Sequence, residues 1–491
     1  MAQRIRLKKE PSLEAKFGAF SFQAEAVRAV RDLEYCAVFH EQGLGKSKIA
    51  IDLMLYWLER KLVDTVLFVV KKGLLANWEK EFRTHTHMRP KVLSQNRKEN
   101  YYIFNSPSRL ILTHYEVLKS ERERFQLFLK ARNVAVILDE STRIKNPYSA
   151  LTRTIFELAP LFRRRVIMTG TSIANRPYDI WSQIWFLDEG KSLGSDFKAF
   201  KEEADLANEL AHNADARSRF ETFIGSLSAK ISHFTVRKTK ETGTIVLPRK
   251  EIHSVLTDWE RRQYDLYHQI QSDMRAVVIK DGLPTEDNSE EMLKRLLRLV
   301  QIASNPRLVD ESYDSQPGKL IFLKDILDRI VQSREKCIVW STFTGNIDWL
   351  AQELSAYGVR KVHGSLTFAE RNRAIERFVS DPDIAILFAT PGAAKEGLTL
   401  TVANHVIFFD RSFSLDDYLQ AQDRIHRISQ SKICHVYNLI MRESVDEWIE
   451  LLLHAKSLAA RLAQGDISLD YYQAQMSYDF GTIVRGILGV K

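Results

Sequence analysis

The sequence predicts an α/β protein of two lobes, each a parallel sheet wrapped by helices. A glycine-rich turn lies between an apolar strand run and an amphipathic helix near the start. Strand-length apolar runs alternate with helical periodicity as far as Thr171, and a second alternation of the same kind follows residue 316.

At 491 residues the chain exceeds one ordinary core, since domains run to about 150 residues. Hydrophobic content of 45% with 27% charged residues is that of a globular chain. No apolar stretch nears the ~18 residues that span a bilayer. The start, Met1–Lys9, is charged and has no apolar h-region, so it does not read as a signal peptide. A formal net charge of +8 suits a polyanionic partner without requiring one. Cys36, Cys337 and Cys434, with no C-x-x-C, argue against a disulfide framework or a cysteine zinc site and suit a reducing interior. His85 and His87 lack further ligand-type neighbours, which argues against a metal there.

In chain order, Phe20–Val27 opens a helix that places Gln23 either to read an adenine edge or on a solvated helix face. Tyr35–Phe39 is a strand, and Ile49, Leu53 and Trp57 repeat at helical spacing. Between them, Gly43, Leu44 and Gly45 form a turn whose backbone N–H groups can close around phosphate at the positive end of the helix. Lys46 would reach the β/γ-phosphates, and Ser47 would ligate Mg²⁺. His40 stands where G-x-x-x-x-G-K-[ST] has its first glycine, so the turn alone could merely join two core elements.

Thr65–Val70, Leu110–Thr113 and Val134–Leu138 read as strands, and Leu74–Phe82 as a helix. The last strand ends in Asp139-Glu140, where open α/β sheets bind ligands. Asp139 can hold Mg²⁺ and Glu140 can deprotonate water, or the pair simply caps the next element. Arg165–Met168 is a further strand running into Thr169-Gly170-Thr171, and Arg163–Arg165 read as solvated strand edge. We expect a first lobe over 1–238, with a helical projection at about 188–232. A linker and helical projection would follow over 239–315, and a second lobe with a helical brace after Arg442 over 316–491. Its strands are Lys336–Trp340, Ile384–Phe388 and His405–Phe409, with Ile347–Tyr357 helical. Arg424 and Arg427, three apart, would share one helix face, either as an arginine finger or as solvated surface.

In this order the segments resemble the superfamily 2 helicase-like ATPases, specifically the Snf2 group of DNA translocases. Motif I resembles Glu41–Ser47, motif Ia Leu74–Glu81, motif Ib Thr113–Glu116, motif II Asp139–Asn146 and motif III Thr169–Thr171. Motif IV resembles Val339–Phe343, motif V Ala389–Leu400 and motif VI Gln420–Gln430. Arg237–Lys240 and Leu299–Pro306 are similar to segments that mark Snf2 proteins. The match runs from about residue 20 to 450. Three departures stand out: Ser141-Thr142 for a small residue and His, Ser172 for Pro, and Phe413-Ser414 for Trp-Asn.

The resemblance implies two RecA-like lobes with helical Snf2-type projections and a C-terminal helical brace, and ATP with Mg²⁺ between the lobes. Lys46, Ser47, Asp139 and Glu140 would come from the first lobe and Arg424 and Arg427 from the second, with Gly397 and Gln420 completing the nucleotide site. DNA would contact Lys72, Asn77, Thr113, His363 and Thr390, mostly through phosphates. The implied function is a DNA-dependent ATPase that translocates on duplex and remodels forked or branched DNA. It would be a monomer without membrane association, in the cytoplasm of a bacterial or phage-infected cell and near the nucleoid. A protein-displacing duplex translocase or an RNA helicase is the alternative within the class. A nucleic-acid clamp gated by ATP, without movement, is the alternative outside it.

Overall fold

The computed structural model describes residues 10–173, 175–205, 214–242, 247–281, 289–393 and 400–475. Chain contacts divide it into two units. One comprises Met1–Asp205, Arg219–Val246 and Ala460–Leu469; the other comprises Leu206–Ser218, Leu247–Ala459 and Asp470–Lys491.

The first unit holds a seven-stranded sheet in the order β3-β4-β2-β5-β6-β1-β7, every pairing parallel. The strands are β1 (Tyr35–Val38), β2 (Thr65–Val70), β3 (Lys91–Val92), β4 (Leu110–His114), β5 (Val134–Asp139), β6 (Arg164–Met168) and β7 (Thr235–Val236). Central strands of a parallel sheet are covered on both faces, so they read as unbroken apolar runs rather than alternating ones. β2 is such a run, with all six residues buried. Ile49, Leu53 and Trp57, on the helix Lys46–Glu59, pack with Phe68 and Trp78 in one core cluster.

The second unit holds a six-stranded, all-parallel sheet in the order β10-β11-β9-β12-β13-β8. Its strands are β8 (Lys250–Thr257), β9 (Cys337–Trp340), β10 (Val359–Val362), β11 (Ile386–Ala389), β12 (His405–Phe408) and β13 (Cys434–Met441). Strand β8 lies inside the stretch 239–315 that the sequence leaves to linker and projection. Residues of β8 alternate between exposed and half-buried until Thr257, the pattern of a sheet edge. The helices Arg261–Asp281 and Ser289–Ser304 follow, and Val445–Ala463 is a long helix after Arg442. The two parallel sheets flanked by helices are the fold class that the sequence predicts. Among the described residues no helix is long and apolar enough to cross a membrane.

One buried polar network organises this unit. The Lys319 ammonium, fully buried, pairs with Asp446 at 2.6 Å and donates to the Phe409 carbonyl at 2.9 Å. Asp446 also accepts the Met441 N–H at 3.0 Å. Nearby Asp410 accepts the Thr342 N–H at 2.7 Å and the Ser341 hydroxyl. Burial still raises its pKa.

Candidate active site

In the first unit, register pairs Val38 with Met168 and Met168 with Asp139, so the carboxyl ends of β1, β6 and β5 lie in one row. The glycine turn follows β1. Gly43 and Gly45 have φ of 85° and 72°, and Gly45 caps the helix that starts at Lys46. A Cβ on Gly45 would sit 2.3 Å from the Gln23 amide nitrogen, so both conformation and space require glycine.

Lys46 Nζ donates back to the carbonyls of His40 at 3.0 Å and Glu41 at 3.4 Å. A Cβ on Gly170 would meet Gln42 Cγ at 2.4 Å and Lys46 Nζ at 3.1 Å. The turn after β6 is thereby pressed onto the cradle. Gln23 is buried, accepting the Phe20 N–H at 3.0 Å and donating to the Leu44 carbonyl at 3.2 Å. Ser47 is half-buried in the first helical turn.

Asp139 Oδ2 accepts the Trp78 indole N–H at 2.8 Å, Oδ1 accepts the Glu140 N–H at 3.0 Å, and the Tyr115 hydroxyl donates to the Asp139 carbonyl at 2.7 Å. Burial, followed by the Glu140 charge, pushes the Asp139 carboxyl up, against the Trp78 hydrogen bond and the Lys46 charge. Glu140 holds a left-handed backbone with φ 52°, uncommon for a side chain with a Cβ. Its Oε2 is buried without a hydrogen-bond partner, and Lys71 Nζ stands 4.0 Å away. These residues fit a Mg²⁺–nucleoside triphosphate. The glycine cradle and Lys46 match phosphate charge, Ser47 and Asp139 offer hard oxygens, and the Glu140 oxygen that makes no hydrogen bond can accept a proton from water.

Two of the departures from the family pattern meet in one contact chain. Ser141 Oγ donates to Gln183 Oε1 at 2.7 Å, and Gln183 Nε2 donates to the Ser172 carbonyl at 3.1 Å and the Asp179 carbonyl at 3.0 Å. The segment after β7 supports the cradle from the other side. Phe39 N–H donates to Val236 O and Glu41 N–H to Lys238 O, both at 2.9 Å, and Lys240 N–H donates to Glu41 Oε2 at 2.6 Å. Arg237 donates to Phe39 O at 2.9 Å and pairs with Asp466 at 2.7 Å. Sequence reasoning gave no role to Tyr115, Gln183 or Asp466. The signal for Arg237 was the Arg237–Lys240 segment itself.

The expected DNA contacts divide. Lys72 is exposed and Asn77 half-buried. Thr113 is fully buried in β4, its hydroxyl donating to Leu93 O at 3.3 Å. His363 and Thr390 are also buried, at 4% and 8% exposure, and His363 Nε2 lies 3.1 Å from Asp348. These three side chains are not surface groups in this structure.

The second unit corrects the arginine helix. The helix Leu415–Gln422 ends before Arg424, and both arginines lie in the turns that follow. The Gln430 amide holds the turns beyond it. Gln430 Nε2 donates to Ala403 O at 2.9 Å and Ile425 O at 3.1 Å, while Oε1 accepts the N–H groups of Ser431 and Lys432 at 3.0 Å. Arg424 is buried, and Arg427 Nε donates to Asp423 O at 2.8 Å. Gln420 is buried and donates to Asp416 at 2.8 Å. Gly397 lies outside the described residues.

Comparison with known proteins agrees with this geometry. The SNF2-related domain family matches residues 24–308, and the helicase conserved C-terminal domain matches 318–429. An uncharacterized ATP-dependent helicase of Mycoplasma genitalium is 27% identical over 86% of this chain and 39% of its own length. The lymphoid-specific helicase of Homo sapiens is 24% identical over 83% of this chain and 58% of its own. Chromodomain-helicase-DNA-binding protein 1 of Homo sapiens is 26% identical over 86% of this chain and 25% of its own. The chain thus spans less than two thirds of the length of each of these relatives. With more than half of its length matched, and with a glycine cradle, an Asp-Glu strand end and a second parallel sheet in the matched order, the chain belongs to the SNF2-related domain family.

Proposed function

We propose that the chain is an ATP-dependent DNA translocase that couples hydrolysis to movement on duplex and remodels forked or branched DNA. The observation that carries the reading is the pairing of the Gly43–Ser47 cradle with Glu140, whose buried Oε2 has no hydrogen-bond partner. A carboxylate oxygen kept out of bulk water and making no hydrogen bond beside a phosphate cradle is suited to take a proton from an attacking water. Lys46 and the helix N-terminus bind the phosphates. Ser47 and Asp139 hold Mg²⁺, which supplies charge neutralisation when bound.

On this reading Arg424 and Arg427 supply positive charge to the transition state, with Gln23, Gly397 and Gln420 in nucleotide binding. DNA is the proposed partner on three grounds: family membership, similarity to chromodomain-helicase-DNA-binding protein 1, and a formal net charge of +8. Lys72 and Asn77 are the contact candidates that the structure leaves accessible. The test is steady-state ATPase activity with single-stranded, duplex, forked and four-way DNA and with RNA, beside Lys46→Ala. Stimulation strongest on branched duplex, and lost in Lys46→Ala, supports the reading. Equal rates with and without nucleic acid would leave only a gated clamp, and stimulation by RNA alone would turn the assignment to an RNA helicase.

A further inference from the structure

The second sheet carries a cluster that the nucleotide chemistry does not use. Glu251 and His253 are two apart on β8, so their side chains share a face. Register sets Glu251 opposite His435 and His253 opposite Tyr437 on β13, and on β12 His405 is opposite His435. His253 Nε2 lies 3.3 Å from His435 Nδ1, and Glu251 Oε2 lies 3.5 Å from that Nδ1 and 4.0 Å from that Nε2. The same three atoms make all three contacts. A point about 2.1 Å from each of them exists, which is the length of a Zn–N or Zn–O bond.

We propose that Glu251, His253 and His435 form a binding site for a divalent transition-metal ion of the Zn²⁺ class. Two imidazoles and one carboxylate select such an ion over Mg²⁺ or Ca²⁺, which take all-oxygen shells. All three side chains are half-buried, which leaves a fourth position to water. Neighbouring groups hold the row in place. His405 stacks on His435 with ring centroids 5.0 Å apart, its Nε2 is 2.7 Å from Glu335, and Tyr437 stacks on His253 at 4.8 Å.

The site's position gives the ion a task. An edge strand has a sheet neighbour on one side only, and β8 has β13 alone. Just before Glu251, Pro248 O accepts from His426 Nε2 at 2.9 Å and Lys250 Nζ donates to Gln422 at 3.1 Å. Both contacts reach the helix end and turn that carry Arg424 and Arg427. An ion bridging β8 to β13 therefore rivets the strand that steadies those arginines.

The test uses the full chain stripped of metal and titrated with Zn²⁺ against a chromophoric chelator. Wild type should hold one tight equivalent. His253→Ala and His435→Ala should each weaken it by more than the roughly 10–100-fold that loss of a second-shell partner costs. His87→Ala, which removes an exposed histidine of the other unit, should leave it unchanged. Circular dichroism of the metal-free variants checks that they are folded, and Glu251→Gln, which exchanges the charged carboxylate for a neutral amide with little change of shape, should also weaken the site. Amide exchange over 250–257 should slow on adding Zn²⁺ in wild type alone. No tight equivalent in wild type, or one that survives in both histidine variants, overturns the site. Tight binding without slowed exchange overturns the rivet.

Discussion

Ser141 and Ser172 are joined by one amide: Gln183 accepts from the Ser141 hydroxyl at 2.7 Å and donates to the Ser172 carbonyl at 3.1 Å. The residue after the Asp-Glu pair thus shares a partner with the turn pressed against Lys46. Gln183 is fully buried, so Gln183→Leu strands a hydroxyl and two carbonyls. We expect a loss of at least about 2 kcal/mol, since each unsatisfied buried group costs about 1–3 kcal/mol. Urea unfolding measures this, and an unchanged midpoint would show that the three groups find other partners.

Glu140→Gln keeps the shape of the side chain and removes its basicity. ATP should still bind, and turnover should fall by about 10²–10⁴, the usual worth of a general base. Nucleotide affinity by fluorescence and steady-state rates separate the two effects. Near-normal turnover would take Glu140 out of the chemistry.

Arg427→Ala should lower the maximal ATPase rate by about 10³–10⁵, the range for arginine fingers, with far less change in ATP affinity. Arg427→Lys should not restore it, because an ammonium lacks the planar fork. A maximal rate within about twofold of wild type would leave Arg424 as the remaining candidate.

Lys319→Met leaves Asp446 buried without its cation. Breaking a buried pair from one side costs about 3–5 kcal/mol. The double change Lys319→Met with Asp446→Leu should recover part of that loss, because it removes both charges. Chemical denaturation of the three proteins decides, and a double variant weaker than the single one would contradict the argument.

His40 gives a pH signature. Burial, then the Lys46 charge, lowers its pKa from 6.5 to about 4, so the folded state holds it neutral. Its contribution is complete above the unfolded value and is lost as pH falls through about 4. Stability should therefore decline from pH 6.5 downward, and less steeply in His40→Leu. Parallel slopes for the two proteins would assign the acid sensitivity to other groups.

The cradle and the Asp139-Glu140 strand end were legible because each is local. A strand, a turn of glycines and a helix lie within about twenty residues, and strand ends announce themselves by a change from apolar to acidic. What eluded the sequence depended on distant chain. Thr113 looks like an accessible polar strand end until β3, only two residues long, brings the Leu93 carbonyl to its hydroxyl. The helix before Arg424 is shorter than the sequence suggests, and the turn beyond it is held by the Gln430 amide through Ala403, 27 residues back. Strands β8 and β13 carry polar residues along half-exposed positions, so neither presents the unbroken apolar run by which β2 is recognised.

The contacts of Arg237 have a consequence for the order of events during synthesis. The cradle strand β1 acquires its second neighbour only when Thr235 and Val236 arrive, and Glu41 receives the Lys240 N–H across 199 residues. Arg237 then waits for Asp466, a further 229 residues on. A nascent chain with the whole glycine turn already outside the ribosome still has an open sheet edge beside it. Contacts of such long sequence separation form late and slowly. The turn that the proposed nucleotide site uses is consequently among the last parts of its unit to gain all of its neighbours.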